Sequence, residues 1–332
     1  MYGPFTSRGA RRNYGWGRSL AYAGLSALRS AFVERYSTVH THAQRFSEFA
    51  KFVRAEFGIC DLSTVDPQSL LEKYARHLAA RCDDQERAAL DLKPMSVAYA
   101  TNLISSAQIT LRFMTDDHSI GVSPSRYVGQ RSHQREKPPA SINEDAVDTA
   151  IKEMASRGHH RASVVTRLVE VFGLRRREAS LADLDRLMRE SERQGWIQVS
   201  DGTKGGRRLL RKLDMTPDRK EALEAAIAAR PPRSKNLLAE TESWVQFRDR
   251  VVKLGLRILR RHQIFGYRDL RAGYACRRYR QLTGAIAPCV GQERTADRES
   301  DRYARMVIAH ELGHGRTDVV ASYCGGSKRR RP

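Results

Sequence analysis

The apolar residues in the first third of the chain recur every three or four positions, which is the spacing of one face of a helix. Turn signals at Gly58 and at Lys93-Pro94 interrupt this pattern and mark places where helices end. The pattern predicts a small all-helical domain over residues 21–125. Its buried side is expected to contain three groups of apolar residues: Phe46, Phe49, Ala50 and Val53; Leu70, Leu71, Tyr74 and Leu78; and Leu103, Ala107 and Leu111.

The composition changes after this helical stretch. Residues 126–140 are polar and basic and close with Pro138-Pro139, so we expect an extended linker there. Helical periodicity resumes at residues 144–156. A second domain is therefore predicted over residues 141–332.

Two short runs in the second domain flank a glycine-rich turn. The sequence WIQV at residues 196–199 and the run at residues 209–213 lie on either side of residues 201–206, and this arrangement predicts a β-hairpin with Lys204 at its tip. The fold class expected from the whole pattern is mainly α, with an all-helical first domain and a mixed α+β second domain that contains a small hairpin. Further helical patterns occupy residues 163–172, 243–261, 267–282, 297–312 and 317–324.

The chain carries a large excess of basic residues. It has 59 lysines and arginines against 38 aspartates and glutamates, which gives a formal charge of +21. This balance favours a polyanionic partner, and nucleic acid is the first candidate. No segment approaches the roughly 20 apolar residues of a membrane-spanning helix, so no membrane partner is expected. The cysteines are scattered without a CxxC pair, which indicates a reducing, cytoplasmic compartment rather than a disulfide framework or a thiolate metal site.

Residues 1–20 form a basic N-terminal segment in which aromatic residues alternate with arginines. The order Arg12, Tyr14, Trp16 and Arg18 suits an arm that lies along DNA phosphates and stacks an aromatic ring. A disordered tail can have the same composition, so both interpretations of this segment stay open.

Metal-free cleavage of a phosphodiester needs positive hydrogen-bond donors on the nonbridging oxygens, a nucleophile in line with the scissile bond, and an acid for the leaving oxygen. Arginine suits the first role because its planar guanidinium binds two phosphate oxygens at once and keeps its charge. The chain has many arginines, so the informative features are their order and their local sequence context.

Four sequence boxes follow one another in the second domain. The box GLRRRE holds Arg175, the TKGG turn holds Lys204, the box YRDLR ends at Arg271, and the box LGH ends at His314, nine positions before Tyr323. In this order the boxes resemble those of the tyrosine recombinases, the phage integrase family. The resemblance covers the second domain up to the tyrosine and extends more loosely to the first domain, which is similar to the core-binding domain of that family.

The resemblance implies a role for each of these residues. Arg175 and Arg271 would hold the scissile phosphate, and His314 would add a hydrogen bond. Tyr323 would attack phosphorus to form a 3′-phosphotyrosyl bond, while Lys204 would protonate the departing 5′ oxygen. This chemistry requires no metal or nucleotide cofactor.

One position departs from the family pattern. In that family the third box has the pattern HxLR, and Arg268 stands in the position of its histidine. A guanidinium with a pKa above about 12 cannot act as a base, so Arg268 can contribute only hydrogen bonds and charge. The group that assists Tyr323 as a base is therefore left open by the sequence.

The partners implied by the resemblance are macromolecules. Site-specific recombinases act on double-stranded DNA at attachment or recombination sites, and four protomers assemble on two such sites. Accessory DNA-bending proteins often take part. We therefore expect a DNA recombinase that works as a homotetramer.

A second interpretation rests on the sequence HELGH, which begins at His310. On a continuous helix, HExxH places two imidazoles on one face to hold zinc and supplies Glu311 as a general base, as in metallopeptidases. Catalytic zinc needs a third protein ligand, and Asp318 is the one carboxylate placed a turn beyond His314. The strong basic charge favours the DNA interpretation.

A third interpretation is a DNA-binding protein without catalytic activity, such as a degenerate recombinase. It would share the charge and the helical first domain. The presence of two clamp arginines together with Tyr323 favours an enzyme, because binding alone needs no nucleophile.

Overall fold

The structure is a computed structural model that describes residues 12–203 and 211–327. Side-chain caps and glycines set many of the helix ends. The described residues are mainly helical and include one two-stranded antiparallel sheet, which confirms the predicted mainly α fold class. The chain divides into two units, Met1–Ser132 and His133–Pro332. Within the described residues, none of the helices is both long enough and apolar enough to span a membrane.

The first unit is built from helices whose starts are encoded locally. The side chain of Asp66 accepts hydrogen bonds from the backbone of Gln68 and Ser69, and the side chain of Ser96 accepts one from Tyr99. Such capping satisfies backbone donors that have no partner inside the helix. The helices of this unit are α1 (Leu20–Ala31), α2 (Tyr36–Phe57), α3 (Pro67–Cys82), α4 (Asp84–Ala89), α5 (Val97–Thr115) and α6 (Pro124–Val128).

The core of the first unit contains the apolar groups predicted from the sequence. Phe46, Phe49 and Leu71 are fully buried in one cluster. Gly24 of α1 allows close packing on α2, because a Cβ atom at this position would lie 2.3 Å from the ring of Phe46.

The basic segment before α1 packs against the first unit. The Tyr14 hydroxyl donates a hydrogen bond to the Leu62 carbonyl, and the Trp16 indole donates one to the Met114 carbonyl. Both rings lie against the core of that unit. They stabilise the fold here, and so the expectation that these rings stack on DNA is not supported.

In the second unit, helices pack around one central helix, which comprises residues Tyr267–Thr283. Its helices are α7 (Glu144–Ser156), α8 (His160–Phe172), α9 (Arg176–Leu181), α10 (Leu184–Gln194), α11 (Pro217–Ala228), α12 (Trp244–Phe247), a π-helical turn (Arg248–Val252), α13 (Lys253–Arg261), α14 (Tyr267–Thr283), α15 (Pro288–Gly291), α16 (Arg298–Glu311) and α17 (Ala321–Cys324). The final predicted helix is shorter than expected, because residues Asp318–Val320 form a 3-10 turn before α17.

Two strands form the small sheet of the second unit. Strand β1 (Trp196–Gln198) pairs with β2 (Lys212–Asp214) in antiparallel register, and Ile197 lies opposite Leu213. Both of these residues are buried, as the alternation of side chains along a half-buried strand requires. The tip of the predicted hairpin, including Lys204, lies outside the described residues.

Helix α14 is packed on more than one side. Its residue Leu270 belongs to a large core that also contains α7, α8 and α13, whereas Ala275 and Tyr279 belong to a second core shared with α16 and α17. A helix buried on several sides is held rigidly, so Arg271 near its start has a well-defined position.

Candidate functional site

Four of the residues singled out in the sequence converge in the second unit. Arg175 is the N-cap of α9, Arg271 lies in the second turn of α14, His314 follows the end of α16, and Tyr323 is in α17. Hydrogen bonds and ring contacts link all four directly or through the LGH turn. Segments far apart in the chain therefore meet at one place.

Arg271 forms the floor of this site. Its Nε donates to the Gly173 carbonyl at 2.9 Å and its Nη2 to the Leu312 carbonyl at 2.8 Å. Its guanidinium carbon lies 5.5 Å from the centre of the Tyr323 ring. Burial lowers the pKa of Arg271 to about 10, and attraction to Tyr323 opposes that effect. The group remains a cation at neutral pH.

Arg175 is the more accessible of the two predicted clamp residues, with 25% of its side chain exposed. Its Nη1 donates to Glu178 Oε1 at 2.6 Å, and its Nη2 donates to the Gly313 carbonyl at 3.2 Å. The acid that follows three residues after Arg175 in the sequence thus orients the guanidinium.

A third arginine of the site was missed by the sequence reasoning. Arg211 is fully buried, and its Nη1 donates to Glu178 Oε2 at 2.7 Å. Burial alone would raise the pKa of Glu178, but the charges of Arg211 and Arg175 and the backbone N–H of Arg175 outweigh it and hold that pKa below its usual range. The sequence gives no distinct signal for Arg211, which is one of four basic residues at positions 207, 208, 211 and 212.

Two glycines let backbone carbonyls reach these arginines. Gly173 has φ of +65° and Gly313 has φ of +68°, which are left-handed conformations that favour glycine. A Cβ atom on Gly173 would lie 2.6 Å from the Tyr274 ring, and one on Gly313 would lie 3.1 Å from Nη1 of Arg175. The local geometry therefore favours glycine at these positions of the first and last boxes.

Beside this arginine cluster, His314 and Tyr323 form a close pair. Nε2 of His314 lies 3.2 Å from the phenolic oxygen of Tyr323. Burial lowers the pKa of His314 to about 4, and the nearby charges of Arg271, Arg175 and Arg211 act in the same direction. The imidazole is therefore neutral at pH 7, and a neutral imidazole nitrogen can accept the phenolic proton.

Two predicted residues remain, Arg268 and Lys204. Arg268 is exposed in the first turn of α14 and makes no hydrogen bond or ion pair with the rest of the described chain. Lys204 falls outside the residues that the structure describes. The prediction of a role for either residue is thus left untested.

The geometry of HELGH does not match that of a zinc-binding helix. Helix α16 ends at Glu311, and Gly313 turns the chain in a left-handed conformation before His314. The Glu311 carboxylate accepts hydrogen bonds from Tyr274 and Arg278. In the described part of the chain, no group of three or more histidines, cysteines or acids lies close enough to hold a metal ion.

Three guanidiniums and one bridging carboxylate give the site a net positive charge next to the Tyr323 hydroxyl. Such a site suits a phosphate, whose oxygens can accept hydrogen bonds from the guanidinium groups.

Comparison with known protein families gives one match: residues 129–277 match the family model for integrases. Residues 129–277 thus resemble an integrase domain. The match confirms the resemblance found in the sequence and supports a role in DNA integration or recombination. It covers Arg175 and Arg271 and ends before His314 and Tyr323. No curated protein matches the chain significantly.

Proposed function

We propose that this integrase-family protein is a tyrosine-type, site-specific DNA recombinase that cuts and rejoins duplex DNA through a covalent 3′-phosphotyrosyl intermediate. The observation that carries the proposal is the contact of the Tyr323 hydroxyl with His314 beside Arg271. A packing tyrosine near the end of a chain has no need of two such partners.

The arginines bind the scissile phosphate in this proposal. Arg175 has an exposed edge through which it can reach a nonbridging oxygen, and Arg271 lies beneath the Tyr323 ring. Backbone carbonyls and Glu178 hold both guanidiniums before DNA arrives. Donors that are already oriented stabilise the charge that develops in the transition state without further reorganisation.

In the cleavage step, the Tyr323 oxygen forms a bond to phosphorus and the bond from phosphorus to the 5′ oxygen breaks. In this proposal the phenolic proton passes to Nε2 of His314, which is uncharged at pH 7 and lies 3.2 Å from the phenolic oxygen. This assignment gives the role of base to the LGH histidine, since Arg268 occupies the place of the histidine in the third box. Lys204 gives a proton to the departing 5′ oxygen, in line with its place in the family motif.

The covalent bond to Tyr323 keeps the energy of the broken phosphodiester. A 5′ hydroxyl from a partner strand can therefore attack the phosphotyrosine and release Tyr323, which completes a strand exchange. We propose a homotetramer on two duplex sites as the active assembly, with accessory DNA-bending proteins as further partners.

The experiment uses a library of nicked duplexes of random sequence. The protein is incubated with the library, and adducts that survive denaturing electrophoresis are recovered and sequenced. The proposal requires adducts with a common sequence that disappear in Tyr323→Phe. Protein that binds the library tightly and forms no adduct under these conditions would instead be a non-catalytic DNA-binding protein, and chelator-sensitive peptide hydrolysis would support the zinc alternative.

A further inference from the structure

A short segment at the start of the second unit crosses both the helix of Arg271 and the helix of Tyr323. We call residues 133–142 the strap. The backbone N–H of Arg135 in the strap donates to the Ala321 carbonyl at 2.8 Å. Ala321 is two residues before Tyr323 and begins α17. The strap is therefore hydrogen-bonded to the element that carries the proposed nucleophile.

The Arg135 side chain ties the strap to the other side of the site. Its Nη2 donates to Asp269 Oδ1 at 2.6 Å, and Asp269 is 5% exposed in its side chain. Asp269 lies in the first turn of α14, two residues before Arg271. One residue thus bonds to α14 through its side chain and to α17 through its main chain.

The far end of the strap is fixed to α14 as well. The backbone N–H of Ser141 donates to Asp269 Oδ2 at 2.9 Å, and the Ser141 hydroxyl donates to the Asp269 carbonyl at 2.6 Å. Gly273 lets the strap approach the helix, because a Cβ atom there would lie 2.5 Å from the Ser141 hydroxyl oxygen. Asp269 therefore anchors both ends of the strap.

The helix α17 depends on such outside contacts. It contains four residues, and an isolated helix of that length is unstable in water. On the side after Tyr323, Arg305 donates to the carbonyls of Gly325 and Gly326. On the side before it, the strap holds Ala321. These two segments therefore act together with the core shared by α14, α16 and α17 to set the position of the Tyr323 hydroxyl.

We propose that Arg135 is a positioning residue for Tyr323: its ion pair with Asp269 fixes the strap, and the strap fixes α17 for attack on the phosphate. This inference rests on the proposed function. It assigns no chemical step to Arg135. The expected effect of its loss is on the rate of attack and not on DNA affinity.

The test compares variants of Arg135 with a control in the same stretch. Arg131 is exposed and makes no hydrogen bond or ion pair with other described residues, so Arg131→Ala removes the same charge without loosening the strap. Each full-length variant is given saturating nicked duplex recovered from the adduct library, and the single-turnover rate of adduct formation, the DNA affinity and the thermal unfolding midpoint are measured.

We expect Arg135→Ala to form the adduct roughly tenfold or more slowly than Arg131→Ala, because small misplacements of a reacting group cost up to about a hundredfold in rate. The two variants should bind DNA equally well. Arg135→Lys should recover most of the rate, since an ammonium can still pair with Asp269. If Arg135→Ala does not fold, Arg135→Gln replaces it under the same criterion.

Equal adduct rates in the Arg135 variants and Arg131→Ala would overturn the inference, as would a loss of rate fully accounted for by a lower folded fraction. Failure of the proposed function is a separate result. It would appear as no adduct with the parent protein or as adducts that persist in Tyr323→Phe, whereas failure of the strap alone leaves adduct formation dependent on Tyr323.

Discussion

Nε2 of His314 lies 3.2 Å from the phenolic oxygen of Tyr323. The histidine ends the LGH box and the tyrosine follows nine positions later, so their contact requires the chain to fold back through a 3-10 turn and the short helix α17. The pair brings an imidazole nitrogen and a phenolic hydroxyl together beside the buried Arg271. Arg268 occupies the usual histidine position of the third box, and the imidazole in contact with the Tyr323 hydroxyl is that of His314.

Replacing Tyr323 with phenylalanine should abolish covalent adduct formation and leave DNA affinity nearly unchanged. The substitution removes only the hydroxyl oxygen, and the ring can keep its place over Arg271. Adducts are counted by denaturing electrophoresis, and affinity is measured by gel shift on the same duplex. An adduct in the Tyr323→Phe variant would mean that another residue is the nucleophile.

Arg271→Ala should lower the single-turnover cleavage rate by at least about 10²–10³, the usual cost of losing one oriented donor to the transition state. Arg268→Ala should cost less, because Arg268 is exposed and does not touch the other residues of the site. Both variants remove one positive charge from α14, so each serves as a control for the other. Equal losses in the two variants would place Arg268 among the main contacts of the phosphate.

His314 should make the folded state more sensitive to acid. Its pKa is lowered from 6.5 to about 4 in the fold, so the unfolded chain binds a proton more readily than the folded chain between these values. The free energy of unfolding should therefore decrease as the pH falls from about 6.5 towards 4. In His314→Gln this contribution is absent, and the decrease should be smaller.

Urea unfolding at pH 7 and at pH 5 measures this difference. The exposed His160 of the same unit provides a matched control, His160→Gln. A parent protein and a His314→Gln variant with the same pH dependence would show that His314 is not held neutral by the fold.

Arg211→Ala should destabilise the protein by about 3–5 kcal/mol, the typical cost of leaving one partner of a buried ion pair without the other. Glu178 would keep the Arg175 side chain at Oε1 and the Arg175 backbone N–H at Oε2, but it would lose the buried guanidinium. Denaturant unfolding gives the free energy. Arg268→Ala, which removes an exposed arginine, should change it by less than about 0.5 kcal/mol. A small effect of Arg211→Ala would show that water or another cation replaces the buried guanidinium.

Gly173→Ala should destabilise the second unit more than Gly158→Ala does. Both glycines have positive φ, at +65° and +75°, so alanine at either position bears the strain of the left-handed conformation. Only at Gly173 would the new Cβ atom meet a ring, that of Tyr274 at 2.6 Å. The difference in their free energies of unfolding therefore isolates the clash. Equal destabilisation would mean that Tyr274 moves aside at little cost.

Local sequence determined much of the fold. The helices of the first unit could be predicted because caps such as Asp66 and the period of the apolar residues act over a few positions. The strand pair was predicted because β-branched and aromatic residues flank a glycine-rich turn, although the register was known only from the pairing of Ile197 with Leu213. The contacts of Tyr14 and Trp16 could not be predicted because their partners, Leu62 and Met114, are distant in the chain.

The residues of the site also divide into those that local sequence identifies and those that it does not. Arg175, Arg271, His314 and Tyr323 could be selected from the sequence because each belongs to a short motif with a fixed spacing.

Tertiary structure alone decided that Arg211 shares Glu178 with Arg175 and that Arg135 bridges α14 and α17. These arginines have no motif of their own, and their partners come from segments that approach only when the cores around α14 are packed. A long-range ion pair depends on where two backbones meet, and no local pattern of residues specifies that meeting.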